Sequence, residues 1–231
     1  MQIHLISIFP EIFDSFTSTS LIKRAIQKKI IKFHTINPRI FCVDKHKQID
    51  DQIYWWWQWL LMKAKPMIQA VNKIINRIKR QKSPDFKIIF PSPSTKIFDQ
   101  KTAEKLSKTS HLIFICGRYE GIDYRFEKYM LDKYPDNFQK ISVWKFITLG
   151  WEIPSMAMIE SITRVLPWVI KEEQSRKDES YNPQLNMDNL EYPQYTRPDR
   201  VYWYSVPETL LTWHHKNIQE RKIKNTKYLK K

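Results

Sequence analysis

Leu112-Ile113-Phe114-Ile115-Cys116-Gly117-Arg118-Tyr119-Glu120-Gly121-Ile122-Asp123 is the stretch on which the fold turns. Five apolar residues run without a charge, too short for a helix and rich enough in Ile and Phe for a strand buried on both faces. The strand empties directly into a turn with a glycine at each end. Similar apolar runs recur along the first two thirds of the chain, at Ile3 to Phe9, Lys32 to Asn37 and Lys87 to Phe90, with His111 to Cys116 the fourth. Between them lie Lys-studded stretches of helical period, at Glu11 to Lys29, Met67 to Arg80 and Asp99 to Lys108. Alternation of this kind predicts an α/β domain around a parallel sheet. Ligands of such sheets bind where strands end, which directs attention to the polar and Gly-bearing loops.

The 231 residues, 42% hydrophobic, suffice for one large domain and a smaller one. A net charge of +15 sets up a field that attracts polyanions, and nucleic acid is the first partner it suggests. The same excess follows from 28 Lys and 30 Ile, the signature of an A/T-rich gene, so charge supports an RNA partner without identifying one. The sequence shows neither an 18-residue apolar run nor a basic-then-apolar leader, and a cytoplasmic protein without a membrane partner is expected. Cys42 and Cys116 read as reduced thiols in apolar strands, and no metal-ligand spacing is present. Beyond Arg164 the texture changes. Lys171 to Ser180 is densely charged without apolar period, and the organisation expected is a domain over residues 1–160, a linker over 161–182 and a small helical domain over 183–231.

Glycine is scarce and tryptophan abundant: three against nine, where average usage puts Gly near ~7%, or roughly 16 in this length. Four of the nine lie within Trp55-Trp56-Trp57-Gln58-Trp59. Read as glycine, that run becomes a flexible loop whose backbone amides can approach a ligand. Read literally, it is a stacking platform for single-stranded nucleic acid.

The segment from Leu112 to Asp123 resembles that of the bacterial tRNA (guanine-N1)-methyltransferases, members of the SPOUT class with a deep trefoil knot. The resemblance extends, in the family's order, to Leu5 to Phe13, the Asp50 to Met62 loop, Phe90-Pro91-Ser92-Pro93, Glu152-Ile153-Pro154-Ser155-Met156 and Tyr192-Pro193-Gln194-Tyr195-Thr196-Arg197-Pro198. It implies a SPOUT-type knotted parallel sheet and a homodimer whose active site lies between subunits. The activity implied is methylation of N1 of the tRNA guanosine immediately 3′ of the anticodon (position 37), with S-adenosyl-L-methionine as donor. All nine Trp fall where the family has glycine: Trp55, Trp56, Trp57, Trp59, Trp144, Trp151, Trp168, Trp203 and Trp213. Some bacterial lineages assign UGA to glycine, and a table that reads UGA as tryptophan writes each such position as Trp. The expectation is therefore glycine at these nine positions in the working protein.

By the same resemblance the donor is held by Phe90, Pro91, Ser92 and Pro93, by Gly117, Tyr119, Glu120 and Gly121, and by Val143, Trp144, Lys145, Phe146, Ile147 and Thr148. Lys145 departs from the family, which has Asp there. Arg118 is read as reaching a phosphate or the donor's carboxylate. The chemistry demands a base, because guanine N1 is a poor nucleophile until its proton leaves, and a group to stabilise charge on O6. Register against Ser180 places Glu179 on the family's catalytic base, with Asp178 as the rival. Arg164 matches the arginine over the guanine, a task that suits a planar guanidinium. His46, Asp50 and Arg197 match the RNA-facing surface. A metal at Asp50 and Asp51 is not expected, since neighbouring ligands are lacking. The competing reading is a non-catalytic RNA-binding relative that keeps the basic surface.

Overall fold

The computed structural model describes residues 1–54, 56–81, 85–93, 96–170, 179–181, 189–212 and 215–228. The chain divides into two compact units, Met1–Lys171 and Glu172–Lys231.

The first unit runs β1 (Gln2–Ile6), α1 (Asp14–Thr17), α2 (Ser20–Gln27), β2 (Lys32–Ile36), β3 (Asp50–Ile53), β4 (Trp56–Met62), α3 (Ala64–Ile78), β5 (Phe86–Pro91), α4 (Gln100–Ser107), β6 (His111–Ile115), α5 (Tyr124–Lys133), β7 (Phe138–Ile141) and α6 (Glu152–Arg164). Five strands form one sheet in the order β2-β1-β6-β5-β7, every pair parallel. The expected α/β class with a central parallel sheet is what the structure shows. Each of the four strands read from sequence is present: β1 starts one residue earlier and ends three earlier than read, β2 and β6 end one earlier, and β5 gains one residue at each end.

Period-2 alternation sends each strand's side chains into two cores. Ile6, Ile88, Phe90, Ile113 and Ile115 meet Met67, Val71, Ile74, Ile75 and Ile78 of α3 and Phe126 and Met130 of α5. Ile3, Leu5, Ile89, Leu112, Phe114 and Cys116 meet Ile22 of α2, Leu106 of α4 and Met158, Ile159 and Ile162 of α6. The result is three layers, helix on sheet on helix. Because both faces are covered, the central strands can be continuously apolar, which is why Leu112 to Cys116 carries no polar residue. Cys116 and Cys42 are free thiols, and burial pushes the Cys116 thiol well above its ordinary range.

Three expectations are corrected. The predicted Glu11 to Lys29 helix is broken: a 3-10 turn (Pro10–Phe13) leads into α1, and Ser20, with φ 47°, starts α2 anew. The Asp50 to Met62 loop is an antiparallel ribbon, β3 with β4, carrying a register shift between Gln52 and Ile53. Tryptophan favours extended backbone where glycine does not, so the residues present make a strand. Residues 161–164, placed at the head of the linker, close α6 with Ile162 and Thr163 buried, because the apolar period of Met158 and Ile159 continues through them.

The second unit holds β8 (Asn189–Leu190), β9 (Arg200–Val201), β10 (Tyr204–Ser205), α7 (Glu208–Leu211), α8 (His215–Asn225) and β11 (Lys227–Tyr228). Its strands pair as two antiparallel ribbons, β9 with β10 and β8 with β11. The helices α7 and α8 accord with the helical unit expected, and the ribbons are additional. Strands of two residues are too short to show a period, so these ribbons left no pattern in the sequence.

Candidate active site

The carboxyl ends of β1, β5, β6 and β7 lie at one edge of the sheet, and three loops leaving them are stitched together there. The first follows β5: Ser92 N–H donates to Ile141 O at 3.0 Å, Phe98 N–H to Ser142 O at 2.7 Å, and Ser142 N–H returns to Lys96 O at 3.0 Å. The second is Gly117 to Asp123. Glu120 N–H donates to Leu60 O, Met62 N–H to Gly121 O at 2.9 Å and Asp123 N–H to Met62 O at 2.9 Å, so the loop continues the β3–β4 ribbon. Tyr119, at φ 58°, and Gly121, at φ 129°, both take left-handed backbone to turn there. A tyrosine in that region is strained by about 1 kcal/mol, and such strain persists only when neighbours over-determine it. The third is 142–151, where Ser142 Oγ donates to Trp144 O at 2.8 Å, Thr148 Oγ1 to Gly150 O at 2.8 Å, and Trp151 N–H to Gly117 O at 3.1 Å.

The structure thus brings together the three predicted stretches, Phe90 to Pro93, Gly117 to Gly121 and Val143 to Thr148. Within them the side chains differ. Phe90 and Pro91 are buried, Gly117 and Gly121 line the turn, and Tyr119, Glu120, Trp144, Lys145, Phe146 and Ile147 face outward. Trp144, Phe146, Ile147 and Leu149 are each more than half exposed, an apolar run on the surface of one loop.

Beneath the loops lies a polar cluster that sequence reasoning missed. Glu152, fully buried, opens α6, where the helix dipole favours an acid. Ser7 Oγ donates to Glu152 Oε1 at 2.8 Å and accepts from Phe9 N–H at 3.0 Å. Arg118 Nε lies 2.9 Å from Glu152 Oε2, close enough for an ion pair though outside hydrogen-bond alignment. The Arg118 guanidinium also sits over the Phe9 ring, 5.1 Å from its centroid. Gly150 lies so close beneath Arg118 that a side chain there would collide with the guanidinium. Arg118, read as a phosphate or donor-carboxylate anchor, is paired through its Nε with Glu152. The sequence carried one signal of this, an acid set between Trp151 and the apolar Ile153-Pro154, where no solvated role is apparent. Nearby, Ser155 Oγ donates to Trp151 O at 2.7 Å and lies 3.4 Å from Cys116 Sγ.

Tyr119 is tied to a second strand end. Burial, together with the Asp50 carboxylate that accepts its hydrogen bond, pushes the Tyr119 phenol above its ordinary value, with Arg39 acting against the shift. Asp50 is half-buried at the start of β3, while His46 is exposed. Arg164 ends α6 in the first unit, exposed. Glu179 is half-buried in the second unit, next to Ser180, whose Oγ accepts from Glu191 N–H at 2.9 Å. Asp178 lies outside the described residues. Arg197 is exposed in the second unit, where Tyr192, Tyr195 and Asp199 share its surface cleft. Among the described residues no three His, Cys, Asp or Glu side chains are grouped to hold a metal ion, and no helix is long and apolar enough to cross a membrane.

Comparison with known proteins decides what these loops belong to. The model of the family described as tRNA (Guanine-1)-methyltransferase TrmD matches residues 1–230. This chain is a member of that family. Relatives named tRNA (guanine-N(1)-)-methyltransferase include one from Clostridium botulinum (Langeland strain), 39% identical over 226 residues, 97% of this chain and 87% of the relative. Another, from Mycoplasmopsis synoviae, is 38% identical over 224 residues, covering 97% and 91%. A third, from Staphylococcus haemolyticus, is 34% identical over 220 residues, covering 95% and 83%.

Membership in this family implies a methyl donor, and the loops can be tested for its fit. They do not accept it as they stand. The indole of Trp151 fills the crevice between Phe90 and the glycine turn: its ring centroid is 4.8 Å from that of Phe90, edge to face, and a methyl group added at Gly117 would come within 2.7 Å of its Cε3 and Cζ3.

Proposed function

We propose that this chain, with glycine at the nine Trp positions, is the enzyme its family membership indicates, transferring a methyl group to N1 of the tRNA guanosine immediately 3′ of the anticodon, with S-adenosylmethionine as the donor. The carrying observation is a family match over residues 1–230 joined to three strand-end loops that converge at one sheet edge. Parallel sheets place ligands at that edge. Because the crevice with Trp151 in it does not fit the donor, the roles that follow concern the guanine alone.

Guanine N1 must lose its proton as it becomes a nucleophile. In this reading Glu179 accepts that proton, a role for which Asp178 is the alternative, and Arg164 faces O6, where negative charge grows as the proton leaves. The two residues belong to different units of the chain, which accords with a site shared between two subunits of a homodimer: Glu179 of one works with the loops of the other. The exposed run Trp144, Phe146, Ile147 and Leu149 supports an apolar contact at that place. Charge supports tRNA as the partner. The first unit carries 28 Lys and Arg against 15 Asp and Glu, the second 11 against 9, so nearly all of the net +15 lies with the first. A trefoil knot in the first unit and a cytoplasmic setting complete the proposal.

The experiment is single-turnover methyl transfer by the chain with glycine at the nine Trp positions, on tRNA bearing guanosine or adenosine after the anticodon. Transfer to the guanosine substrate alone is expected. Glu179→Gln lowers it by about 10²-fold or more with tRNA affinity kept, since general-base catalysis contributes 10² to 10⁴. A larger loss in Asp178→Asn reassigns the base. Mixed dimers, one subunit carrying Glu179→Gln and the other a damaged Gly117 to Gly121 loop, retain one working site if the site spans subunits; complete loss places it within one. The Trp151 indole in the crevice favours a second reading, an RNA-binding relative without catalysis. Salt-sensitive tRNA binding with no methyl transfer, even with glycine at the nine positions, decides for it.

A further inference from the structure

The indole of Trp151 lies across both glycines of the second loop: its six-membered ring covers Gly117 at 2.7 to 2.9 Å from where a Cβ would stand, and its Cζ2 lies 3.9 Å from the same point at Gly121. Phe90 closes one side with its ring at 72° to the indole, and the Trp151 backbone is tied to Gly117 O at 3.1 Å. The crevice therefore already holds a flat, fused ring of a six- and a five-membered cycle. Such a ring has the size and shape of a purine. Among the other tryptophans whose side chains are described none does anything comparable, for Trp59 is 53% exposed, Trp144 58%, Trp168 80% and Trp203 87%.

We propose that Trp151 occupies the slot for the purine of an adenosyl ligand, so that residue 151 alone decides whether the crevice opens: glycine there vacates a preformed ring-sized slot, tryptophan fills it. This rests on the methyltransferase reading, because that reading supplies an adenosyl ligand. The geometry also explains why Gly117 tolerates no side chain in this chain. A methyl group there would meet carbons of the indole, which is packed against Phe90.

Calorimetric titration with S-adenosylmethionine tests it on four full-length forms: the chain as it stands, Trp151→Gly, Trp144→Gly, and all nine Trp replaced by glycine. Trp151→Gly is expected to bind about tenfold tighter or more than the chain as it stands, or some 1.4 kcal/mol, and Trp144→Gly to match it within about twofold. Tight binding by the chain as it stands overturns the proposal, as does binding by the nine-glycine form with no gain in Trp151→Gly; in both cases the methyltransferase reading survives. Absence of binding by a folded nine-glycine form overturns the proposal together with that reading. Should Trp151→Gly unfold, Trp151→Ala takes its place. A measurement free of ligand accompanies these: Gly117→Ala lowers the urea midpoint of the present chain and leaves that of the Trp151→Gly chain unchanged. Equal shifts in the two backgrounds remove the indole from Gly117 and overturn the proposal.

Discussion

The two ends of the parallel sheet are built on opposite terms. At the carboxyl end, glycines, a left-handed tyrosine and a buried acid hold loops close together around a crevice. Toward the amino end, from mid-strand on β1 and β2 to the first residue of β6, three neighbouring strands place histidines in a row on the α3 face: His34, His4 and His111, with ring centroids 5.0 and 5.4 Å apart and planes nearly parallel. His4 Nε2 lies 3.1 Å from His111 Nδ1, His111 Nε2 3.1 Å from Gln81 Oε1, and His34 Nε2 3.1 Å from Gln2 Oε1. Each of the three imidazoles closes on a neighbouring side chain. The difference teaches that polarity at a sheet end does not by itself mark a site. Convergent loops and strained backbone mark one, whereas a satisfied row of rings marks structure.

The comparison breaks first at Glu152. If the carboxyl end depends on its buried acid, Glu152→Ala leaves Arg118 facing a vacated partner and costs about 3–5 kcal/mol in urea unfolding, while Glu152→Gln, which keeps the Ser7 contact, costs less. Equal losses in the two variants mean that the charge is immaterial. At the amino end the test is pH. Burial, and behind it the charges of His34, His111 and Arg77, lowers the His4 pKa from 6.5 to about 3; burial also lowers His34, with Arg77, Lys32 and His111 adding to it, and His111, where the N-terminal ammonium adds and Asp85 opposes. The unfolded chain therefore binds protons that the folded one refuses. Stability from this row is intact above pH 6.5 and falls as pH drops toward 3. Between pH 6.5 and 4.5 the loss from His4 is about 2–3 kcal/mol at roughly 1.4 kcal/mol per pKa unit. His4→Leu flattens the profile, and an unchanged slope in that variant places the sensitivity elsewhere. The smallest effect concerns Trp168, at φ 68° and 80% exposed, whose packing offsets little of its strain. Trp168→Gly raises stability by about 1 kcal/mol. Destabilisation instead shows that this indole packs as a tryptophan should.

How much of this the sequence disclosed depended on distance along the chain. The strands β1, β2, β5 and β6 were legible because each is a run of apolar residues closed by a polar turn, and the Gly117 to Gly121 turn was legible as the place where one of them ends. The His4 row, the Arg118–Glu152–Ser7 cluster and the Trp151 contact with Phe90 were not. Ser7 and Glu152 stand 145 positions apart, and no local pattern connects them. The β3–β4 ribbon is illegible for a different reason: the sequence read with glycine predicts a loop there, and the residues actually present favour extension. In the second unit, ribbons of two residues gave no period to read.

The exposure of the indoles has an optical consequence. Trp59, Trp144, Trp168 and Trp203 stand more than half in solvent, and Trp151 is sheltered against Phe90. These four indoles emit as solvated indole does, and Trp151 adds a shorter-wavelength share that Trp151→Gly removes. A chain with glycine at all nine has no indole left, and its near-ultraviolet absorbance rests on 11 tyrosines. One emission spectrum of the protein taken from its own cells, excited where only indole absorbs, reads directly which residue the ribosome placed there.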